Sequence, residues 1–388
     1  MGENFFISLK SQLADIALAW LPASWQPMIS AILVSCAVMA FAPLTMMFLT
    51  WFERKAVGRF QDRYGPNRVG PFGIFQPLAD GVKMAQKEDI IPEGADRLLH
   101  HLAPALVVVP AFLMFIFVPF GRDMVAADLD TGLLFFLAAS GLSAPLIISG
   151  GWAPRNKFSV LGGLRAAAQM LAYAIPMALS VVAVVMATGS LSISAVVEAQ
   201  ARLGYWYVLT PWGAFAFVIF FLCTVAEAKR TPFDMPEAES ELVAGFHTEY
   251  SGLKFAMFFM AEFTGSYAAC MFAASLFLGG WIGPEFLPSW LILQVKAMAL
   301  FFVMVWFRGT IPRFRTDQLL ALAWKFLFPM SVLVLVATGA WYFLRMDSGI
   351  AAIIWPFLSL TLAWWGLSVV LAHEFIRANR PRRADNAG

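Results

Sequence analysis

Charge is scarce in this 388-residue chain. Only 13% of its residues are Asp, Glu, Lys or Arg, against about a quarter in a soluble domain. With 60% apolar residues and a mean hydropathy of +0.72, that scarcity excludes a soluble globular protein. Cysteine and histidine are scarcer still. Cys36, Cys223 and Cys270 each stand alone inside apolar runs, and the four histidines include one adjacent pair, His100 and His101. No Cys-x-x-Cys and no Cys/His spacing supplies ligands for zinc, an iron–sulfur cluster or haem. The chain is therefore expected to bind no metal and no covalent cofactor, and to hold no redox centre of its own. A nucleotide-binding glycine motif, an internal repeat and a low-complexity tract are also missing, and nucleic acid is not an expected partner. The alternation of a membrane barrel, in segments of about ten residues, does not occur.

Long apolar runs are what the chain does have. Charge-free windows cover 16–52, 102–121, 131–154, 166–196, 203–226 and 348–373. Three more, 255–284, 286–307 and 319–344, hold one charge each: Glu262, Lys296 and Lys325. A membrane helix needs about 20 apolar residues, and backbone groups in lipid must be bonded internally. The fold class is thus an all-α integral membrane protein of about nine transmembrane helices, with amphipathic helices in the inner loops. Residues 5–20 read as a short interfacial helix. The whole chain, 1–388, reads as one membrane domain.

Basic residues orient the bundle. With loop 53–101 inside, segments 150–165, 227–254, 308–318 and 377–388 are inside too, and together these hold 21 of the 27 Lys and Arg residues. The N-terminus is then outside and the C-terminus cytoplasmic.

Two inner loops collect the charge. In ERKAVGRFQDRYGPNRVGPFGIFQPLADGVKMAQKEDIIPEGADRLLHH, residues 53–101, Tyr64–Phe72 reads as a tight surface turn, flanked by Arg59, Arg63 and Arg68. Residues 72–88 read as an amphipathic helix, with Phe75, Leu78, Val82 and Ala85 on one side and Asp80 at the edge of that face. The second loop, EAKRTPFDMPEAESELVAGFHTE, carries Glu227, Asp234, Glu237, Glu239, Glu241 and Glu249. Pro236–Ala244 reads as a short helix with Glu237 and Glu241 on one face. Carboxylates crowded beside a poorly solvated cavity hold protons near neutral pH, which suits a proton relay; a solvated acidic loop balanced by Lys229 and Arg230 is the plainer reading. Glu262 is the sharpest single signal, because an acid within a span faces a partner or a wet pathway. Lys296 and Lys325 invite the same question, although Lys325 lies near enough to the inner end to snorkel.

The stretches ERKAVGRFQDRYGPNRVGPFGIFQPLADGVK, APRNKFSVLGGLRAAAQM, AEAKRTPFDMPEAESELVAGFHTEYSGLKF and IPRFRTDQLLALAWKFLFP resemble the ND1-type membrane subunit of proton-pumping NADH–quinone oxidoreductase, respiratory complex I. The likeness runs from about residue 28 to 340. It implies a subunit of the bacterial inner membrane, with quinone as substrate and loops 53–101 and 227–254 forming the quinone chamber. It also implies a carboxylate chain of Asp80, Glu227, Glu237, Glu239, Glu241 and Glu262 for proton coupling. Arg59, Arg63, Arg68, Phe72 and Phe246 would shape the chamber, and Arg313 and Arg315 would serve interface packing. The implied partners are the iron–sulfur subunit at the quinone site, the small and antiporter-like membrane subunits, and lipid.

Two departures stand out. The family's Tyr-Glu in the fourth main span reads Tyr173-Ala174 here, and residues 348–388 add a ninth span and a basic tail to the family's eight. The electron donor touches other subunits, so the likeness also suits a relative fed by ferredoxin or coenzyme F420. A membrane hydrogenase subunit is more distant. A stand-alone ion transporter is the reading from another class, and the lack of an inverted repeat counts against it.

Overall fold

The computed structural model describes residues 26–343 apart from Asp123, Ala127, 237–241 and Glu285, and beyond them Gly366 and Val369. The expected helix at 5–20, the acidic residues Glu237, Glu239 and Glu241, the ninth span (save helical Gly366 and Val369) and the basic tail lie outside the described residues.

Regular structure among the described residues is helical, apart from one isolated bridge between Gly121 and Met124. Helix α1 is Gln26–Phe60 and α2 is Gln76–Gln86; α3 is Arg97–Phe117, α4 Gly132–Trp152 and α5 Lys157–Thr188. Then follow α6 (Ile193–Leu203), α7 (Pro211–Glu227), α8 (Gly252–Phe277) and α9 (Ser289–Thr310). The last rod is α10 (Thr316–Ala321), a π-helical turn (Leu322–Leu327) and α11 (Phe328–Phe343). Six of these rods, α3, α4, α5, α8, α9 and α10–α11, are long and apolar enough to cross a membrane, and α7 is a shorter apolar helix. The 35-residue α1 has no charge before Glu53.

The apolar windows locate the helices, and local chemistry sets their ends. The window 166–196 becomes two elements. Gly189 closes α5 in the left-handed conformation (φ 71°), and the Ser192 hydroxyl caps α6 at the amide of Ala195. Helix α7 starts at Pro211, where Thr210 caps it. The expected amphipathic helix over 72–88 is shorter, 76–86, preceded by a single 3₁₀ turn at Pro71–Gly73. Its apolar residues Leu78 and Val82, and Phe75 just before it, are exposed, and nothing among the described residues covers them.

The core packs aromatic against small side chains. Phe136 stacks on Phe272 at 3.6 Å, and Phe220 packs beside them. Small residues let backbones approach, as membrane bundles require. A Cβ on Gly151 would stand 3.2 Å from Gly163 Cα, and one on Gly162 only 2.6 Å from the Phe246 amide nitrogen. Gly162 therefore seats loop 245–247 against α5, where the Ser159 hydroxyl also donates to the Phe246 carbonyl at 2.8 Å.

Lys296, the lone charge of window 286–307, is a staple. Its ammonium donates to the carbonyls of Leu278, Gly280 and Ile282 at 2.6–2.9 Å and lies over the Trp206 ring. It thereby satisfies backbone acceptors of the loop that follows α8. Lys325 is exposed on the π-helical turn.

Candidate functional site

Charged residues from five segments meet at one end of the bundle, where α1, α7 and α9 end and α8 begins. Glu53 of α1 is buried and accepts from Arg230 Nη1 at 2.9 and 3.1 Å, and from Arg308 of α9. Arg230 turns its Nε to Glu262 of α8 at 3.0 Å, and its guanidinium lies 3.9 Å from the centroid of the Phe263 ring. Beside it, Arg313 pairs with Asp234 at 2.9 Å. The side chains of Glu53, Arg230 and Glu262 are each 8% exposed or less. Burial at that level is tolerable only because each charge has a partner.

Gln169 of α5 fixes the turn that carries Arg230 and Asp234. Its amide donates to the carbonyls of Ala226 and Phe233 at 2.7 and 2.8 Å. Tyr173 packs edge-on against Phe233, and its hydroxyl donates to the Leu319 carbonyl next to the π-helical turn.

Beyond Glu262 the helices part around a cavity of about 60 Å³, room for a few waters. Its polar lining is Ser143, Thr224, Glu227, Lys229, Glu262 and Ser266. Glu227, the last residue of α7, also takes a hydrogen bond from the Ser140 hydroxyl of α4. The buried polar chain thus runs from Glu53 through Arg230 and Glu262, across the cavity, to Glu227 and Ser140. Within low-dielectric surroundings such groups sense one another strongly.

The other expected residues lie elsewhere. Asp80 accepts from Arg54 at 2.5 Å and Gln76 at 2.8 Å, away from the cavity lining. Burial pushes its carboxyl up, but the hydrogen bonds from Arg54 and Gln76 and the charges of Arg54 and Lys83 outweigh that and hold it below the ordinary range. Arg59, Arg63, Arg68 and Phe72 are exposed between α1 and α2 and at the end of α1; Arg63 bonds the Gln61 side chain, and the Phe72 carbonyl accepts from Trp51. Phe246 is packed inside, against Phe258 and His247. Glu249 accepts from Asn156 at 2.7 Å.

Two loop groups titrate unusually. Burial raises Asp234 to about 6, with Arg313 opposing that and Glu262 adding to it. Burial, with help from the charge of Lys229, lowers His247 to about 4, so its ring is neutral at neutral pH.

Reading the residues alone missed Glu53 and Arg308, and gave Arg230 only a balancing role. One signal pointed to Glu53. Like Glu227, it is the acid on which a long charge-free run stops.

The fold and site together define a polytopic membrane protein with a buried ionic network at one end of its helices. The NADH dehydrogenase family model matches residues 33–339. An NADH-quinone oxidoreductase subunit from Syntrophobacter fumaroxidans is 48% identical over 314 residues, 78% of this chain and 93% of the relative. The like-named subunit from Syntrophotalea carbinolica is 48% identical over 309 residues, 77% of this chain and 92% of the relative. One from Rhodopseudomonas palustris is 47% identical over 311 residues, 80% and 96% respectively. The chain belongs to the NADH dehydrogenase family of complex I membrane subunits. Quinone as substrate and further subunits as neighbours fit that membership.

Proposed function

We propose that this chain forms the membrane side of a quinone chamber and the first part of a proton-coupling path, in the inner membrane of a bacterial cell. The N-terminus lies outside and the C-terminus in the cytoplasm, as the basic inner segments favour. The observation that carries the reading is the buried chain Glu53–Arg230–Glu262, ending at a water-sized cavity shared with Glu227.

The chemistry follows from electrostatics. Electrons reach the quinone from an iron–sulfur centre in a neighbouring subunit. This chain, whose sequence offers no ligand set for a redox group, supplies placement and field. Reduction of the quinone changes charge at the inner loops. Acids of poised affinity answer by taking or releasing protons, and Asp234, raised to about 6, stands at the inner end of the network. The disturbance then passes inward through Arg230 and Glu262 to the cavity and Glu227. Glu237, Glu239 and Glu241 belong to the same loop as Asp234 and extend the acid set.

The exposed apolar residues of the first inner loop support the chamber. Tyr64, Phe72, Phe75 and Leu78 are each at least half exposed, a surface that calls for a partner subunit or an apolar ligand. Arg59, Arg63 and Arg68 beside them suit an acidic docking face. Asp80, clamped by Arg54, serves to fix α2 on α1 and stays ionised.

Substitution of Glu262 by Gln in the intact complex tests the reading. Proton pumping should fall while the complex still assembles. Wild-type pumping by Glu262→Gln would remove Glu262 from the path.

A further inference from the structure

One buried cation takes no part in the ion pairs above. Lys229 follows α7 with a left-handed backbone (φ 52°) that a side-chain-bearing residue rarely adopts, so its surroundings hold it there. Its side chain is buried, yet it lines the cavity between Glu227 and Glu262. The ammonium rests 4.9 Å from the centroid of the Phe246 ring, and its charge also acts on His247 and on Glu227.

A ring face attracts a cation, but less firmly than a carboxylate or water does. Both alternatives are at hand in the cavity. The two acids there are not equivalent. Glu262 already has Arg230 at 3.0 Å, whereas Glu227 takes its hydrogen bond from a neutral hydroxyl, that of Ser140. An ionised Glu227 therefore lacks a fixed counter-cation, and Lys229 is the cation that shares its cavity. A flexible four-carbon stem lets an ammonium change place, and the cavity has space for waters to carry it across.

We propose that Lys229 is the movable counter-charge of this cavity, a positioning residue that acts through Glu227. The ammonium rests on Phe246 while Glu227 is neutral, and moves to Glu227 when that carboxylate gives up its proton. The move displaces charge alone, and the protons exchanged are those of the acids and the cavity water. The inference rests on the coupling path proposed above.

The test uses the intact complex in proteoliposomes, with NADH–quinone turnover and proton uptake measured per assembled complex. Lys229→Met should cut proton uptake about tenfold or more, the least expected from losing a counter-charge within reach of a buried acid. Lys229→Arg, which keeps the charge, should retain at least about half of it, and that rescue separates charge from packing. Where Lys229→Met fails to assemble, Lys229→Gln takes its place under the same criteria. Glu227→Gln is the reference. If Glu227→Gln stalls proton uptake while Lys229→Met pumps normally, the role of Lys229 is wrong and the path stands. If Glu227→Gln itself pumps normally, the path is wrong. If Lys229→Arg is as defective as Lys229→Met in assembled complex, shape rather than charge matters and the inference falls.

Discussion

Arg230 joins two acids from distant helices, and its removal tests the network most sharply. In Arg230→Met, Glu262 loses the cation 3.0 Å away, while Glu53 keeps Arg308. Leaving one member of a buried pair without its partner costs about 3–5 kcal/mol. The guanidinium over Phe263, at 3.9 Å, contributes up to about 2 kcal/mol when desolvated. Because Glu53 remains neutralised, the loss should fall near the lower end, about 3 kcal/mol. Adding Glu262→Gln removes the stranded charge. The double variant should then recover much of the loss, with a coupling of about 2 kcal/mol, within the range for residues in one network. The assay is the fraction of complex still assembled after graded heating, followed on native gels, for wild type, both single variants and the double. Arg230→Met should dissociate at the lowest temperature and the double variant above it. Heat resistance of Arg230→Met equal to wild type would refute the reasoning, as would simple addition of the two single losses.

Four further outcomes follow from the same structure. Lys296→Met bares three carbonyls and should cost at least about 3 kcal/mol of stability, seen as less assembled complex, with Lys296→Arg intermediate. Gly162→Ala pushes a methyl against the Phe246 backbone and should cost about 2 kcal/mol, read as lower heat resistance than Ala at open Gly141, where nothing lies nearby. The carboxyl of Asp234 is raised to about 6 in the fold, so its contribution to stability is fullest at acid pH and fades as pH rises through 6. Asp234→Asn should therefore gain heat resistance relative to wild type above pH 6 and lose that gain toward pH 4; a gain confined to acid pH would contradict the assignment. Glu241→Gln should assemble and lose quinone-coupled proton pumping, and normal pumping in proteoliposomes would exclude Glu241 from the path.

The sequence made the helices easy to find and their limits hard to see. Charge-free windows stop at the first ionic residue, but α1 runs on through Glu53, Arg54 and Lys55 to Phe60, because Glu53 and Arg54 have acid or base partners there. Helix α5 likewise begins at Lys157, nine residues before its window. The break at Gly189 lies inside a run that stays apolar, so hydropathy passes over it and only the Gly and Ser chemistry marks it. In the site, Glu227 and Glu262 were legible because an acid at the edge of, or inside, an apolar helix is expensive. The partners were not. Glu53 lies 177 residues from Arg230 and 255 from Arg308, and no local spacing encodes contacts of that range. The spacing on α2 puts Asp80 at the edge of an apolar face, but it does not encode its partner Arg54, 26 residues earlier on α1.

Labelling with a photoreactive quinone in the assembled complex tests the central claim most directly. The account predicts label within 53–101 and 227–254 of this chain, displaced by excess substrate quinone. Label confined to the opposite end of the bundle, at 189–210 or 278–288, or absent from this chain altogether, would contradict it.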